Sequence, residues 1–287
     1  MNVYIQSVLL GIVEGLTEFL PVSSTAHLRI TEALMKIPLD DAYWKMYTVV
    51  IQLGAILALL LLFLGRIMDF TRTFPKGENG DRTWLNHPIS LTLIAFAFTS
   101  AVMLPLKKWS DNNLGSLKVI ALALLIGGIV MWIVDLWSER YESSTTHVEE
   151  MSLPQAIWIG LCQALSGIFP GTSRSMSTIA SGQIAGLDRP SALEFSFLLS
   201  IPTMIAATIW DLKKEVFPGH GSAVHVVMNA DRWIVLLIGT GVSFIVALGV
   251  VEWFLHWVRK HGFTVFAIYR IILGIALLIW GKKFLGS

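Results

Sequence analysis

The sequence predicts an all-α protein that crosses a membrane several times, and three observations support this prediction. Of the 287 residues, 54% are hydrophobic and only 14% are charged, whereas a soluble domain carries about 25% charged residues. Several apolar stretches approach the roughly 20 residues that a helix needs to cross a bilayer core. Trp and Lys or Arg residues stand at their ends, as is typical of membrane interfaces. We therefore expect six spans, at 46–64, 89–106, 117–137, 191–210, 233–257 and 263–280.

Composition and connections favour a single membrane domain over 1–287. The net charge of +1 gives no indication of a nucleic-acid partner. The single cysteine, Cys162, excludes an intrachain disulfide and a cysteine-based metal cluster. The polar connections are all too short to form a soluble domain, and we place them at 65–87, 107–116, 138–152, 211–231 and 259–262.

Two segments that do not read as simple spans resemble each other. Residues 11–28 and 160–177 each run from an apolar half-helix into a proline and then a Ser/Thr-rich turn. At an offset of 149 they match at four positions: Gly11/Gly160, Leu16/Leu165, Pro21/Pro170 and Ser24/Ser173. Three predicted spans follow each copy, so the second half enters the membrane from the opposite side. This pattern indicates an inverted repeat, with repeat one at about 1–137 and repeat two at about 153–287, whose broken helices meet at a shared site.

The first broken segment carries two acids and a run of hydroxyls. Glu14 and Glu18 lie four residues apart, hence on one helix face, where they repel unless a cation or a proton lies between them. The alternative is a solvated face at the membrane interface. The hydroxyls of Ser23, Ser24 and Thr25 fall at the expected start of the next helix, where free N–H groups favour phosphate. Plain N-capping is the alternative for these hydroxyls, and a structural role is the alternative for the nearby His27.

The second turn repeats the arrangement and adds a guanidinium. Arg174 can donate two hydrogen bonds to phosphate oxygens, and Thr172, Ser173 and Ser175 add hydroxyls beside it. The alternative for Arg174 is a structural ion pair with a membrane acid. One half thus supplies acids and the other a base, which suits a diphosphate held by a divalent cation, the arginine and the helix N-termini.

Further polar residues lie inside the apolar spans. Gln52 is expected to hydrogen-bond within the bundle and is kept as a candidate substrate contact. Glu194 and Arg270 are candidates for a structural bridge between helices, and Tyr269 lies beside Arg270.

These residues also carry a family resemblance, from about residue 5 to the C-terminus. The stretches EGLTEFLPVSSTAH, VVIQLGAILA, PGTSRSMSTI, EFSFLLSIPTM and FAIYRIILG resemble motifs of the undecaprenyl-pyrophosphate phosphatase (bacitracin-resistance) family. The resemblance implies six full spans and two re-entrant helix pairs in a bacterial inner membrane. It implies hydrolysis of the C55 lipid diphosphate with a divalent cation (Mg²⁺ or Ca²⁺), which recycles the lipid carrier for cell-wall synthesis.

Carried over by residue, the resemblance implies that the family's acids are Glu14 and Glu18, its histidine is His27, and its Ser-Arg pair is Ser173 and Arg174. The family's Ser-Ser-Thr falls on residues 23–25. Two positions depart from the pattern: Ala26 and Met176 replace glycines. A glycine with positive φ at either position would make the substitution a source of strain.

Two mechanistic questions stay open from the sequence. The nucleophile is Ser24 with His27 as its base, or His27 itself, or water. A transporter or flippase of a lipid phosphate is the alternative function, because inverted repeats with broken helices are typical of transporters.

Overall fold

The chain is almost entirely helical. The structure, a computed structural model, describes residues 2–38, 41–78, 80, 82–113, 116–216 and 227–285. Across these residues it forms twelve α-helices and one short 3₁₀ helix, Val148–Glu150. The α-helices are α1 Val3–Thr17, α2 Ser24–Leu34, α3 Ala42–Val50, α4 Gln52–Leu62, α5 Leu64–Thr73, α6 Pro88–Asn113, α7 Leu117–Ser138, α8 Leu153–Ile168, α9 Arg174–Ile184, α10 Arg189–Val216, α11 Ala230–His261 and α12 Thr264–Leu285. This confirms the all-α fold class.

Six stretches of helix within the described ranges are long and apolar enough to cross a membrane, as predicted. They are Ala42–Leu62, Pro88–Leu106, Leu117–Ser138, Arg189–Trp210, Ala230–His261 and Thr264–Gly281. The first combines α3 and α4, which meet at Ile51, and each of the others lies within one helix. The chain is therefore a multi-pass membrane protein.

The two proline-broken segments form the short helix pairs α1–α2 and α8–α9. The four helices have 15, 11, 16 and 11 residues. At 1.5 Å per residue the longest reaches about 24 Å, short of a bilayer core of about 30 Å. Short paired helices are what the re-entrant prediction requires, and their placement inside the bilayer stays a prediction.

Most of the predicted connections are partly α-helical, and the one at 259–262 is helical up to His261, where α11 ends. The connection at 65–87 begins with α5, an amphipathic helix that buries only Phe70. The helices α6 and α10 continue to Asn113 and Val216, into the connections at 107–116 and 211–231. Apolar length predicts where a helix can span, but it gives no signal for the polar turns beyond the span. Residues 79, 81, 114–115 and 217–226 of these connections lie outside the described residues.

The two halves pack against each other in a reciprocal way. Helix α1 lies on α11, α8 lies on α6, and α7 lies on α12. The close approaches use glycines at equivalent positions: a Cβ on Gly11 would lie 2.6 Å from the Gly239 carbonyl oxygen, and one on Gly160 would lie 2.3 Å from that of Ala95. The short pair of each half is thus held by a span of the other half, which brings both turns to one place.

Candidate active site

Each short pair turns through a serine in an unusual conformation. Ser23 (φ 73°) and Ser173 (φ 71°) are the N-caps of α2 and α9, and positive φ is strained for a residue with a Cβ. Their hydroxyl oxygens accept hydrogen bonds from the backbone N–H groups of Ala26 and Met176, at 3.4 and 3.3 Å. Both serines therefore act as helix caps, the alternative considered for the first turn, and the same strained cap occurs in each half.

These caps correct the expected register of the repeat. Ser173 is equivalent to Ser23, not to Ser24, so the offset from the caps onward is 150 rather than 149. The physical reason is that the stretch from Gly160 to Ser173 is one residue longer than that from Gly11 to Ser23. In this register Ala26 and Met176, which replace the two family glycines, are equivalent to each other. Both lie inside helices without positive φ, so the strain considered for them does not occur.

The centre of the site is the Glu18 carboxylate, which lies between groups from both halves. Its Oε2 accepts a hydrogen bond of 2.5 Å from the Ser24 hydroxyl. Its Oε1 forms an ion pair of 3.2 Å with Nη2 of Arg174. The Ser175 hydroxyl donates to the backbone oxygen of Glu18 at 3.2 Å. The Glu18 and Arg174 side chains are only 8% and 11% exposed, so the structure brings four predicted site residues together in a nearly dry setting.

Arg174 has N–H donors that its ion pair with Glu18 does not use. Its Nη1 donates to the Ser196 carbonyl oxygen at 3.5 Å, and its guanidinium lies 5.8 Å from the centre of the Phe19 ring. Its Nε is buried and has no hydrogen-bond partner within the described chain. A buried unused donor is costly, so this N–H group is available to an incoming acceptor.

Glu14 is the second acid of the pair, and it is fully buried. Neither of its carboxyl oxygens has a hydrogen-bond donor among the described residues. A buried carboxyl group without a donor requires a proton or a metal ion beside it. The described residues contain no cluster of three or more metal-ligating side chains. Two carboxylates completed by phosphate oxygens and water are nevertheless a usual Mg²⁺ arrangement, so Glu14 and Glu18 fit the predicted cation.

His27 does not contact Ser24 as the expected base. Its Nδ1 lies 2.7 Å from the Ser23 carbonyl oxygen and its Nε2 lies 2.6 Å from the Tyr269 hydroxyl. A carbonyl oxygen only accepts, so Nδ1 carries the proton and Nε2 accepts from the tyrosine. The ring also stacks on Tyr269, with centroids 5.6 Å apart. Both ring nitrogens are therefore occupied, and His27 fixes the carbonyl of the strained cap.

Three predicted substrate contacts, at Thr25, Thr172 and Gln52, form no hydrogen bond with Glu18 among the described residues. Thr25 is exposed. The Thr172 hydroxyl donates to the Phe169 carbonyl oxygen at 2.8 Å. Gln52 begins α4 just after the break at Ile51, and no hydrogen bond of its side chain occurs among the described residues, contrary to the expectation of a bundle contact. Their contact with substrate stays a prediction.

Arg270 holds the two turns together, a role that the sequence analysis missed. Its fully buried guanidinium donates to the carbonyl oxygens of Pro21 in the first turn (3.1 Å) and of Gly171 and Thr172 in the second (3.3 and 2.8 Å). A fourth bond, of 3.2 Å, reaches the Ala123 carbonyl oxygen. The only sequence signal for this role was a charge inside an apolar span.

The expected bridge between Glu194 and Arg270 does not form. Glu194 instead pairs with Arg66 at 2.7 Å, and Arg66 also contacts Glu149 at 2.7 Å. Arg270 binds carbonyl oxygens, which carry no side-chain signature in a sequence. Charge pairing alone was therefore an insufficient guide.

The fold and the site define a class of protein. It is a multi-pass membrane protein in which a carboxylate, a serine and an arginine lie together where the turns of two short helix pairs meet. Comparison with known proteins makes this specific. A family model described as bacitracin resistance protein BacA matches residues 7–276. A protein of Koribacter versatilis named undecaprenyl-diphosphatase is 57% identical over 99% of this chain and all of its own length.

More distant relatives agree. An undecaprenyl-diphosphatase of Lacticaseibacillus paracasei is 38% identical, with 96% of this chain and 97% of that protein covered. An undecaprenyl-diphosphatase 1 of Frankia alni is 39% identical, with 95% and 94% covered. The chain belongs to the bacitracin resistance protein BacA family.

Proposed function

We propose that this protein hydrolyses undecaprenyl diphosphate to undecaprenyl phosphate and inorganic phosphate, in the inner membrane of a bacterium, which recycles the lipid carrier for cell-wall synthesis. The observation that carries the proposal is the Glu18 carboxylate lying between the Ser24 hydroxyl and the Arg174 guanidinium. In this arrangement Ser24 is the nucleophile and Glu18 is its base. The Arg174 guanidinium lies beside them and can bind phosphate. The names of the relatives supply the substrate.

The nucleophile is Ser24, with Glu18 rather than His27 as its base. The Ser24 oxygen attacks the terminal phosphorus, and its proton passes to Glu18 Oε2 along the existing 2.5 Å hydrogen bond. The bond from phosphorus to the bridging oxygen breaks, Glu18 passes its proton to that oxygen, and undecaprenyl phosphate leaves. Water then attacks the phosphoserine and gives a proton to Glu18. The bond from phosphorus to the Ser24 oxygen breaks and Glu18 returns the proton to that oxygen, which releases inorganic phosphate and restores Ser24.

Arg174 and the helix N-termini stabilise the charge on the transferred phosphoryl group. Arg174 exchanges its contact with Glu18 for phosphate oxygens, and its free Nε adds a donor. The first residues of α2 and α9, Ser24 and Arg174, both contact Glu18, so both helices present backbone N–H groups and the positive ends of their dipoles beside it. A divalent cation bound by Glu14 and Glu18 would supply further positive charge to the phosphate oxygens.

The decisive test uses purified full-length protein in detergent. We expect release of inorganic phosphate from undecaprenyl diphosphate, with loss of release on addition of a chelator. Glu18→Gln and Ser24→Ala should lower kcat by at least about 10³-fold, because the first removes the base and the second the nucleophile. The matched control is Glu252→Gln, an exposed carboxyl on α11, which should retain full activity. Transport of a lipid phosphate in sealed vesicles, without phosphate release in detergent, would instead establish the transporter alternative.

The identity of the nucleophile has its own test. Rapid quenching with labelled substrate should trap a phosphoenzyme that is stable to acid and labile to base, as a phosphoserine is. An adduct with the reverse stability would identify His27 as the nucleophile. Turnover without any adduct would indicate direct attack by water and would reduce Ser24 to a binding role.

A further inference from the structure

Helix α9 has two faces with different surroundings. Arg174 and Ser175, in its first turn, contact Glu18 in the polar site. Met176, Ala180 and Ile184, spaced four residues apart and hence on one face, line a groove between α9, α7 and α8. One short helix thus separates the site from this groove.

The groove has the size and character of a site for a hydrocarbon chain. Its volume is about 560 Å³, and its walls are mainly aliphatic and aromatic, including Leu122, Ile126 and Val130 of α7 and Leu165 and Phe169 of α8. Ile126 is 57% exposed and Leu165 is 46% exposed, so the groove opens on the lipid-facing surface of the spans. An amphiphile can therefore enter sideways from the bilayer.

The inner end of the groove adjoins the turn between α8 and α9. Thr172 and Gly127 are both part of its lining. The Thr172 carbonyl oxygen accepts a hydrogen bond from Arg270, and a Cβ on Gly127 would lie 2.4 Å from Nη2 of the same arginine. The Ser177 hydroxyl, also in the lining, is 94% buried and has no hydrogen-bond partner among the described residues. The apolar groove thus ends at a buried guanidinium and an unused hydroxyl.

We infer that this groove binds the isoprenoid chain of the substrate, at the end next to the diphosphate, while the phosphates reach the two turns. The inference rests on the proposed function and adds where the chain lies. An isoprenoid diphosphate has the required order of parts, an apolar chain leading to an anionic head. Because the chain leaves lipid rather than water, selectivity comes from shape and packing in the groove, not from the hydrophobic effect.

Filling the groove tests this assignment. In Ile126→Trp the indole occupies the opening, and we expect the KM for undecaprenyl diphosphate to rise at least about tenfold, the scale of a steric mismatch in an apolar pocket. The KM for dimethylallyl diphosphate, which has a single isoprene unit, and kcat should change little. The matched control is Ile272→Trp on α12, at a residue that is 62% exposed and outside the groove. An unchanged KM for the long substrate, or equal losses for both substrates, would overturn the inference.

A binding measurement separates this inference from the proposed hydrolysis. Cys162 lines the groove and is the only cysteine in the sequence, so an apolar maleimide labels one site. We expect undecaprenyl phosphate in the micelle to slow this labelling severalfold, and phosphatidylglycerol at the same mole fraction to have no such effect. Equal protection by both lipids would make the groove an ordinary phospholipid site, and absence of protection would leave it without the proposed occupant. Neither outcome depends on phosphatase activity.

Discussion

Arg270→Lys is the substitution that tests most directly whether the site depends on joining the two turns. The guanidinium makes four hydrogen bonds to backbone carbonyl oxygens, from Pro21, Ala123, Gly171 and Thr172. An ammonium group has three donors at a single point, so at least one of these bonds is lost. A hydrogen bond to a charged group contributes about 1.5–3 kcal/mol, so we expect the Lys variant to be folded but about 2 kcal/mol less stable.

The expected loss of activity is larger than the loss of stability. Pro21 belongs to the turn that carries Glu18 and Ser24, whereas Gly171 and Thr172 belong to the turn that carries Arg174. A displacement of about 1 Å between catalytic groups can cost about 10²-fold in rate, so kcat should fall about 100-fold while the KM changes little. Phosphate release in detergent gives the rate, and thermal denaturation followed by size-exclusion chromatography gives the stability. The matched control is Arg259→Lys, an exposed arginine at the end of α11, which should behave as wild type.

Two further variants bracket this prediction. Arg270→Met removes the donor from the carbonyl oxygens of Pro21, Gly171 and Thr172 in the two turns, at about 1–3 kcal/mol each, and should not accumulate in folded form. If Arg270→Lys were fully active, the two turns would not need the guanidinium, and the argument from these hydrogen bonds would be refuted.

Three other predictions follow from single contacts. Gly171 has φ +96°, and a Cβ there would lie 2.7 Å from the Ile120 carbonyl oxygen; Gly171→Ala should therefore lower both thermal stability and kcat, and a wild-type melting temperature would contradict this. Because His27 contacts the Ser23 carbonyl oxygen and Tyr269, and Glu18 is the base in the proposed mechanism, His27→Gln should reduce kcat no more than about tenfold, and Tyr269→Phe should lower it less; a loss as large as that of Glu18→Gln would restore His27 as a catalytic group. Outside the spans, burial alone would raise the pKa of Glu149, but hydrogen bonds from Arg66 outweigh it and hold that pKa below its usual value. This ion pair stabilises the fold above the unfolded-state pKa of glutamate, and its contribution is lost as pH falls through the lower folded-state pKa. Arg66→Gln should therefore be less stable than wild type at pH 7 by at most about 1 kcal/mol, and the deficit should be smaller at pH 3. Melting temperatures at the two pH values measure this difference, and an equal deficit at both would contradict the ion-pair account.

The spans were predictable from the sequence because apolar length is a local property. The contact between Glu18 and Arg174 could also be predicted, because a repeat of two broken helices places the acids of one half near the arginine of the other. The register in which the two copies of the repeat align was harder to predict. One extra residue before Ser173 leaves the four identities of the repeat visible at an offset of 149, but it shifts the caps to an offset of 150.

The sequence did not reveal which side chains contact each other when they lie far apart along the chain. Tyr269 meets His27 across 242 positions, and Arg270 binds backbone oxygens that every residue type offers. A histidine beside serines in a sequence is an obvious base, but a helix places its side chains by geometry, and here Ser24 faces Glu18 while His27 faces α12. In the proposed mechanism Ser24 stays the nucleophile, and Glu18 takes the place of His27 as its base.

The division of charge between the halves explains why such a connection is needed at all. Glu18 and Arg174 belong to different helix pairs, each held by a span of the other half, so nothing within one pair fixes their separation. In the proposed mechanism the ion pair between them cannot serve as that fixed link, because Arg174 releases Glu18 to bind phosphate. Arg270 does not bind phosphate in this mechanism. Its hydrogen bonds go to the backbone of both turns and need not change during turnover. A buried arginine is costly in a membrane, and Arg270 forms no ion pair with an acid among the described residues. Its presence is explained by the requirement that the two turns stay in place when the ion pair between them opens.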